Sequence, residues 1–142
     1  MTPTQLNALI AYYESLTLAS VERIGDYYAA DAYFKDPFNE VRGLADIQMV
    51  FRRMYDHLTG PRFVVTERVG DANGCFLVWD FEFRMKAWRP EVTQRIHGVS
   101  HLRFNAEGKV AYHRDYWDAA DELYSKLPLV GLLMRGLKSY VK

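Results

Sequence analysis

The sequence predicts one α+β domain in which helices cover one face of a curved antiparallel sheet, with a further helix added at the C-terminal end. Helical periodicity dominates the chain before Pro61, interrupted by one short strand-like segment, and strand-like alternation fills most of it from Phe63 to Asp118. Helices gathered ahead of the strands do not supply the crossovers of a parallel sheet, so an antiparallel sheet is expected. The length of 142 residues suits one core over residues 1–142, because two would hold only about 70 residues each.

Thr2-Pro3-Thr4-Gln5 has the order of a helix start: Thr2 caps, Pro3 tolerates the first helical position, and Gln5 bonds back to the cap. Leu6, Leu9, Ile10, Tyr13 and Leu16 recur at helical spacing with Tyr12 at the edge of the stripe, so the first helix is expected to reach about Leu16. Ser20 caps an expected second helix whose apolar face is Val21, Ile24, Tyr27 and Tyr28. Residues Ala32 to Phe38 change period and end in Asp36-Pro37, which marks a short strand running into a turn. A third helix follows Gly43, buries Ile47, Val50, Phe51, Met54 and Leu58, and stops at Thr59-Gly60-Pro61. Long strands are expected over Phe63–Val69, Cys75–Trp88, Val92–Phe104 and Lys109–Asp118. From Ala119 to Lys142 the pattern is helical with a break near Pro128. Leu129, Leu132, Leu133, Leu137 and Tyr140 form its apolar stripe.

Alternation sorts the strand residues into faces. Cys75, Leu77, Trp79, Phe81, Phe83 and Met85 point inward, as do Ile96, Gly98, Ser100, Leu102 and Phe104 on the next strand. Ser100 is thereby an inward polar residue. The last strand is ambiguous, since Val110, Tyr112, Arg114 and Tyr116 alternate with Ala111, His113, Asp115 and Trp117, and both sets mix polar with aromatic side chains. A core accepts His113 and Asp115 together only if they are hydrogen-bonded or line a hydrated cavity.

Composition removes several function classes. Eighteen basic and eighteen acidic residues leave no net charge, so nucleic acid is not an expected partner. No apolar run is long enough to span a bilayer. The lone Cys75 forms no internal disulfide and the first residues carry no signal pattern, which makes a cytoplasmic setting the expectation. No cofactor is expected, because the sequence has neither a Gly-rich phosphate loop nor a Cys cluster, and His97 and His101 stand about 13 Å apart along a strand, too far to share a metal. The aromatic fraction of 15% is high enough to fill a core and still line a cavity.

A set of phrases in order gives the chain a family resemblance: Tyr12, Tyr28-Ala29-Ala30-Asp31-Ala32, Asp36-Pro37-Phe38, Arg42-Gly43, Arg103-Phe104 followed by Gly108, and Tyr116-Trp117. The sequence resembles the nuclear transport factor 2-like superfamily, including its SnoaL-like members, and within it ketosteroid isomerase most closely. The resemblance implies a cone-shaped domain around one deep pocket. It sets His113, Asp115 and Trp117 facing that pocket together with Phe81, Phe83, Met85, Ile96, Ser100 and Leu102, in agreement with the alternation.

The isomerase further implies Asp36 as a base that moves a proton beside a carbonyl and Tyr12 as the donor that stabilises the enolate oxygen. Three positions depart from its pattern. Ser100 stands for its second carboxylic acid, Phe51 for a supporting tyrosine, and the pair His113 and Asp115 for apolar wall. Other readings stand beside isomerase-like proton transfer on a small hydrophobic or polycyclic substrate. Asp36 before Pro37 also suits a turn. Tyr12 also suits a core tyrosine. His113 with Asp115 suits a structural pair, a ligand contact, or the working pair of a polyketide-cyclase-like or hydrolase-like enzyme, and the same pocket suits a binding protein without turnover. A homodimer through the outer sheet face is expected, and residues 129–140 are expected to close the pocket as a lid.

Overall fold

The computed structural model describes residues 1–123 and 128–141. Helix α1 spans Pro3–Glu14 and opens with the expected capping box, in which Gln5 N donates to the Thr2 hydroxyl and the Gln5 side chain accepts from Thr2 N. The Gln5 amide also meets the turn before the last strand. There Gly108 has a φ of +80°, a left-handed conformation that favours glycine, and a Cβ at that position would also push the end of the Gln5 side chain aside.

The expected second helix is instead a 3-10 turn, Ser20–Asp26, and Tyr28 opens strand β1, Tyr28–Lys35. Val21 and Ile24 are three apart, which fits three residues per turn as well as 3.6. The deciding interaction is long-range: Val110 N donates to Tyr27 O at 2.8 Å, and Tyr28 pairs with Val110. After the Asp36 turn a short strand, β2 (Glu40–Arg42), folds back on β1. Helix α2 covers Leu44–His57 and passes straight into β3, Leu58–Asp71. Thr59-Gly60-Pro61 does end the helix as expected, but as an irregular start to an edge strand, where the missing proline N–H costs no ladder bond.

Strands β4 (Gly74–Met85), β5 (Gln94–Phe104) and β6 (Val110–Tyr116) complete a six-stranded, unclosed sheet in the order β2-β1-β6-β5-β4-β3. All its pairs are antiparallel except β1 with β6. Burial along β4 and β5 alternates as expected, with Cys75, Leu77, Trp79, Phe81, Phe83, Ile96, Ser100 and Leu102 all inside. The α1 and α2 residues Leu9, Ile10, Ile47 and Phe51 close the core over this face.

The ambiguity of the last strand has a physical origin. Arg103 pairs with Tyr112 but Phe104 pairs with Val110, so Ala111 is an extra residue in β6. A bulge of this kind shifts the side-chain parity. It lets Val110 and His113 both be buried, at 0% and 4% exposure, although they are three apart.

A short α3, Ala119–Glu122, and α4, Pro128–Val141, follow the sheet. Leu132, Leu133, Leu137 and Tyr140 of α4 are exposed, whereas the side chain of Leu129 lies outside the described residues. Among the described residues no helix is long and apolar enough to cross a membrane.

Gly98 carries a demand that its strand position alone does not show. It lies opposite Trp79, and a Cβ there would stand 2.4 Å from the indole ring. Gly98→Ala is expected to displace the ring and cost about 1 to 3 kcal/mol, the usual range for overpacking. Urea unfolding followed by tryptophan fluorescence measures this, and an unchanged midpoint would contradict the close packing.

Candidate functional site

The inner face of the sheet and α2 enclose a cavity of about 340 Å3. Strand β4 contributes Trp79, Phe81, Phe83 and Met85, β5 contributes Ile96, and the end of β6 contributes Asp115 and Trp117. The β1 side adds Phe34, Asp36, Phe38 and Asn39, while α2 adds Val50, Phe51, Arg53, Met54 and His57. A recess of about 20 Å3 adjoins this cavity and shares Phe51, Phe63, Trp79 and Asp115 with it. Tyr13, Val65, Leu77, Ser100 and His113 complete the recess.

A continuous hydrogen-bonded chain crosses the recess. Trp79 Nε1 meets Ser100 Oγ at 2.9 Å, and Ser100 Oγ meets Asp115 Oδ1 at 2.5 Å. His113 Nε2 meets the same oxygen at 2.6 Å. On its far side His113 Nδ1 meets the Tyr28 hydroxyl at 2.6 Å, and that hydroxyl meets Tyr13's at 2.6 Å.

The chemistry of the ends sets the direction of donation. Indole only donates, so Ser100 accepts from Trp79 and gives its own proton to Asp115. A carboxylate only accepts, so His113 carries a proton on Nε2. In the tautomer with its one proton on Nε2, the ring accepts at Nδ1 from Tyr28, and Tyr28 accepts from Tyr13. Every donor is used, and both branches terminate on one carboxylate oxygen. Asp115 Oδ2 receives no hydrogen bond from any described residue, and Asp115 lines the cavity.

Strand register builds this arrangement. Ser100 pairs directly with Asp115, and Leu102 pairs with His113, so the serine and the carboxylate are cross-strand neighbours. Gly98 lets the Trp79 ring lie over β5 and reach Ser100. Phe34 pairs with His113 across the parallel β1–β6 junction and packs edge-on to its ring at 4.8 Å. Burial pushes the phenols of Tyr28 and Tyr13 well above their ordinary range, Tyr28 also feeling Tyr13 beside it, so both stay protonated as donors.

Two expected site residues are elsewhere. Tyr12 is buried on the other side of α1, where its hydroxyl donates to Ser20 O at 2.8 Å and its ring stacks on Tyr27 at 4.3 Å. It does not reach the cavity; Tyr13, one residue and about 100° further around a 3.6-residue turn, takes the inward position. Burial raises the Tyr12 phenol to about 12, as expected of a core tyrosine. Leu102 is wholly enclosed in the core behind the wall rather than in it.

Asp36 does line the cavity, but its Oδ1 already accepts from Phe38 N at 2.8 Å, Asn39 N at 2.7 Å and Asn39 Nδ2 at 3.1 Å. That is the geometry of a side chain closing its own turn. No described side chain of α4 lines the cavity, and the polar side of α4 is tied to α3 through Lys138 and Asp121; the side chains of Leu129, Val130 and Met134 in the expected lid lie outside the described residues.

Phe51, Phe81, Phe83, Met85, Ile96, Trp117, Ser100, His113 and Asp115 are all in the walls, as the sequence implied. Sequence reasoning left out Tyr28 and Tyr13, read only as apolar helix positions, and Arg53, which carries no periodic signal. The inward glycine opposite Trp79 was the one available sign that the indole lies flat against the sheet. Burial raises the Cys75 thiol to about 11, which leaves it unreactive.

Solved structures share this architecture. A protein with a ketosteroid isomerase-like fold from Catenulispora acidiphila DSM 44928, in complex with trimethylamine, superposes with a TM-score of 0.72 at 16% identity, covering 87% of this chain and 92% of its own. A protein assigned as a SnoaL-like polyketide cyclase from Shewanella denitrificans OS-217 gives 0.70 at 18%, covering 88% and 100%. An LEH-like epoxide hydrolase of M. tuberculosis gives 0.67 at 17%, covering 96% and 94%. These likenesses establish a nuclear transport factor 2-like fold. Residues 9–113 match the SnoaL-like domain, and the chain belongs to that family. No curated protein sequence matches it.

Tyr28→Phe leaves His113 Nδ1 without its donor in a site where water has little access. It is expected to cost about 1 to 3 kcal/mol at neutral pH, the penalty of an unsatisfied buried acceptor. The same phenol destabilises the fold in alkali. Its folded-state pKa lies above the unfolded value of 10.0, so the stabilisation is complete below pH 10 and declines as pH rises beyond it. Denaturant titrations from pH 7 to 11 should show a shallower alkaline decline in Tyr28→Phe; an unchanged slope with no loss at pH 7 would contradict the chain.

Proposed function

We propose that this protein catalyses proton transfer at a carbon beside a carbonyl in a small hydrophobic substrate, with Asp115 as the base. The observation that carries the reading is the division of labour within one carboxylate: Oδ1 is held by Ser100 and His113, and Oδ2 is left to the cavity. A base needs a fixed orientation and a free lone pair, and this geometry offers both.

In the step itself, the C–H bond breaks toward Oδ2, its electron pair becomes the enolate double bond, and negative charge moves to the carbonyl oxygen. Returning the proton to a different carbon gives isomerisation, whereas attack of the enolate carbon on a second carbonyl within the substrate gives cyclisation. His113 positions Asp115, and Tyr28 fixes the imidazole tautomer. The aromatic walls hold the substrate and exclude water.

The base is therefore placed at Asp115 rather than Asp36, whose Oδ1 is occupied by its turn, and Tyr12 has no part in it. Solvent deuterium exchange into a panel of cyclic ketones, followed by mass spectrometry, tests this. Asp115→Asn is expected to lower exchange by about 10² to 10⁴, the usual worth of a general base, while Tyr12→Phe stays within a few fold of the parent. Full exchange in Asp115→Asn removes the residue from the role.

A second reading rests on the recess. Its volume of about 20 Å3 meets the minimum for one water molecule, about 10 to 15 Å3, and Asp115, Ser100 and Tyr13 line it with oxygen atoms. A water there would lose a proton to Asp115 and add to a ring carbon of a strained cyclic ether as that carbon's C–O bond breaks, and the alkoxide released would take the proton back from Asp115 to give the diol. Turnover of a strained cyclic ether in ¹⁸O-labelled water, with label in the diol, distinguishes this hydrolysis from proton transfer.

We also infer a homodimer through the outer sheet face. Phe76 stacks on His101 at 4.5 Å, His101 meets Tyr112 at 5.2 Å, and Tyr112 stacks on Tyr33 at 5.3 Å, an aromatic row across four strands. Paired charges border it, with His97 on Asp80 and Arg95 on Glu82. Apolar centre and polar rim are the anatomy of an interface. Light scattering should give twice the monomer mass at micromolar concentration, and a monomer at high micromolar concentration contradicts the dimer.

A further inference from the structure

One face of α2 forms the helical wall of the cavity: Val50, Arg53, Met54 and His57, at spacings of three, four and seven. Val50 and Met54 belong on such a wall. Arg53 and His57 do not, unless something in the cavity uses them. Among the described residues neither side chain has a hydrogen-bond or ion-pair partner, although salt bridges elsewhere engage Arg52 and Arg95 with glutamates. No acidic residue of the cavity pairs with either of them: Asp36 is held by its own turn, and Asp115 is held at Oδ1 by Ser100 and His113.

We propose that the substrate is a carboxylic acid whose carboxylate is received by Arg53, with His57 one turn further along α2 as a second donor. The inference rests on the reading of the cavity as a substrate site and deepens it. The guanidinium presents paired N–H donors that match the two oxygens of a carboxylate, which a lone ammonium does not. An apolar body then occupies the aromatic walls formed by Phe81, Phe83 and Trp117, and the reacting carbon lies toward Asp115. The arrangement also orients the substrate. A carboxylate is repelled by the Asp115 end and drawn to the Arg53 side, so an amphipathic acid enters in one sense only.

The test uses 2-naphthylacetate and its neutral isostere 2-naphthylacetamide, titrated into the whole protein by calorimetry, with tryptophan quenching to report occupancy beside Trp79 and Trp117. The acid is expected to bind at least about tenfold tighter than the amide, the worth of a hydrogen bond to a charged group. Arg53→Gln should bring the two affinities within about twofold by weakening only the acid, and Arg53→Lys should restore part of the preference. Arg53 is exposed, so its replacement spares the core.

Equal affinities in the parent protein, no binding of either compound, or a preference that persists in Arg53→Gln each overturn the proposal. Asp115→Asn, run in parallel, separates it from the catalytic reading. The acid preference should survive that substitution even as exchange is lost. If exchange proves independent of Asp115, the comparison of acid with amide still stands or falls on Arg53.

Discussion

Two branches of hydrogen bonds, one from Trp79 through Ser100 and one from Tyr13 through Tyr28 and His113, converge on a single oxygen of Asp115. The need to satisfy that buried chain constrains much of the domain. Unpaired, any one of these groups would cost about 1 to 3 kcal/mol, a large fraction of a domain's net stability. Satisfying all of them fixes the register of β5 on β6, requires a glycine at position 98 beneath the indole, and draws Tyr28 into the sheet rather than into a helix. The same convergence leaves the second carboxylate oxygen free at the cavity, so the structural demand and the chemical opportunity share one residue.

The cavity around that oxygen follows from ordinary packing. An inward row on β4 ends in Phe81, Phe83 and Met85, while α2 crosses above with Phe51 and Met54, and the two surfaces stop short of filling the space between them. The Asp36 turn closes one side without offering a free carboxylate oxygen at Oδ1. Membership of the SnoaL-like family covers residues 9–113 and supplies the scaffold, but the related structures lie at 16 to 18% identity. Function on such a scaffold is carried by the side chains in the site.

The sequence made the walls easy to find and the wiring hard. Strict alternation on β4 and β5 identified Trp79, Phe81, Phe83, Ile96 and Ser100 as inward, because a half-buried antiparallel strand leaves no other choice. On β6 the extra residue Ala111 changed the parity, and no composition signal marks a bulge. Tyr28 carried a helical spacing as acceptable as its true strand role, and only pairing with Val110, 82 positions away, decides between them. The resemblance to the isomerase located the pocket and set Asp36, Ser100, His113 and Asp115 on its walls. It pointed to Tyr12, where the helix phase puts Tyr13, and to Asp36, where local N–H donors take the carboxylate. The apolar stripe of α4 was legible as well, yet nothing in its periodicity said whether it would lie over the cavity.

The direction of the chain is its most exposed element, since it determines that Asp115 accepts at Oδ1 and stays free at Oδ2. Nitrogen-15 NMR of the imidazole rings, with His113 assigned by its loss in His113→Gln, measures the tautomer directly. A neutral ring with the proton on Nε2 and a bare, hydrogen-bonded Nδ1 is the result this account predicts. A ring protonated on Nδ1 alone, or on both nitrogens at neutral pH, would reverse the donation from Tyr28 and contradict it.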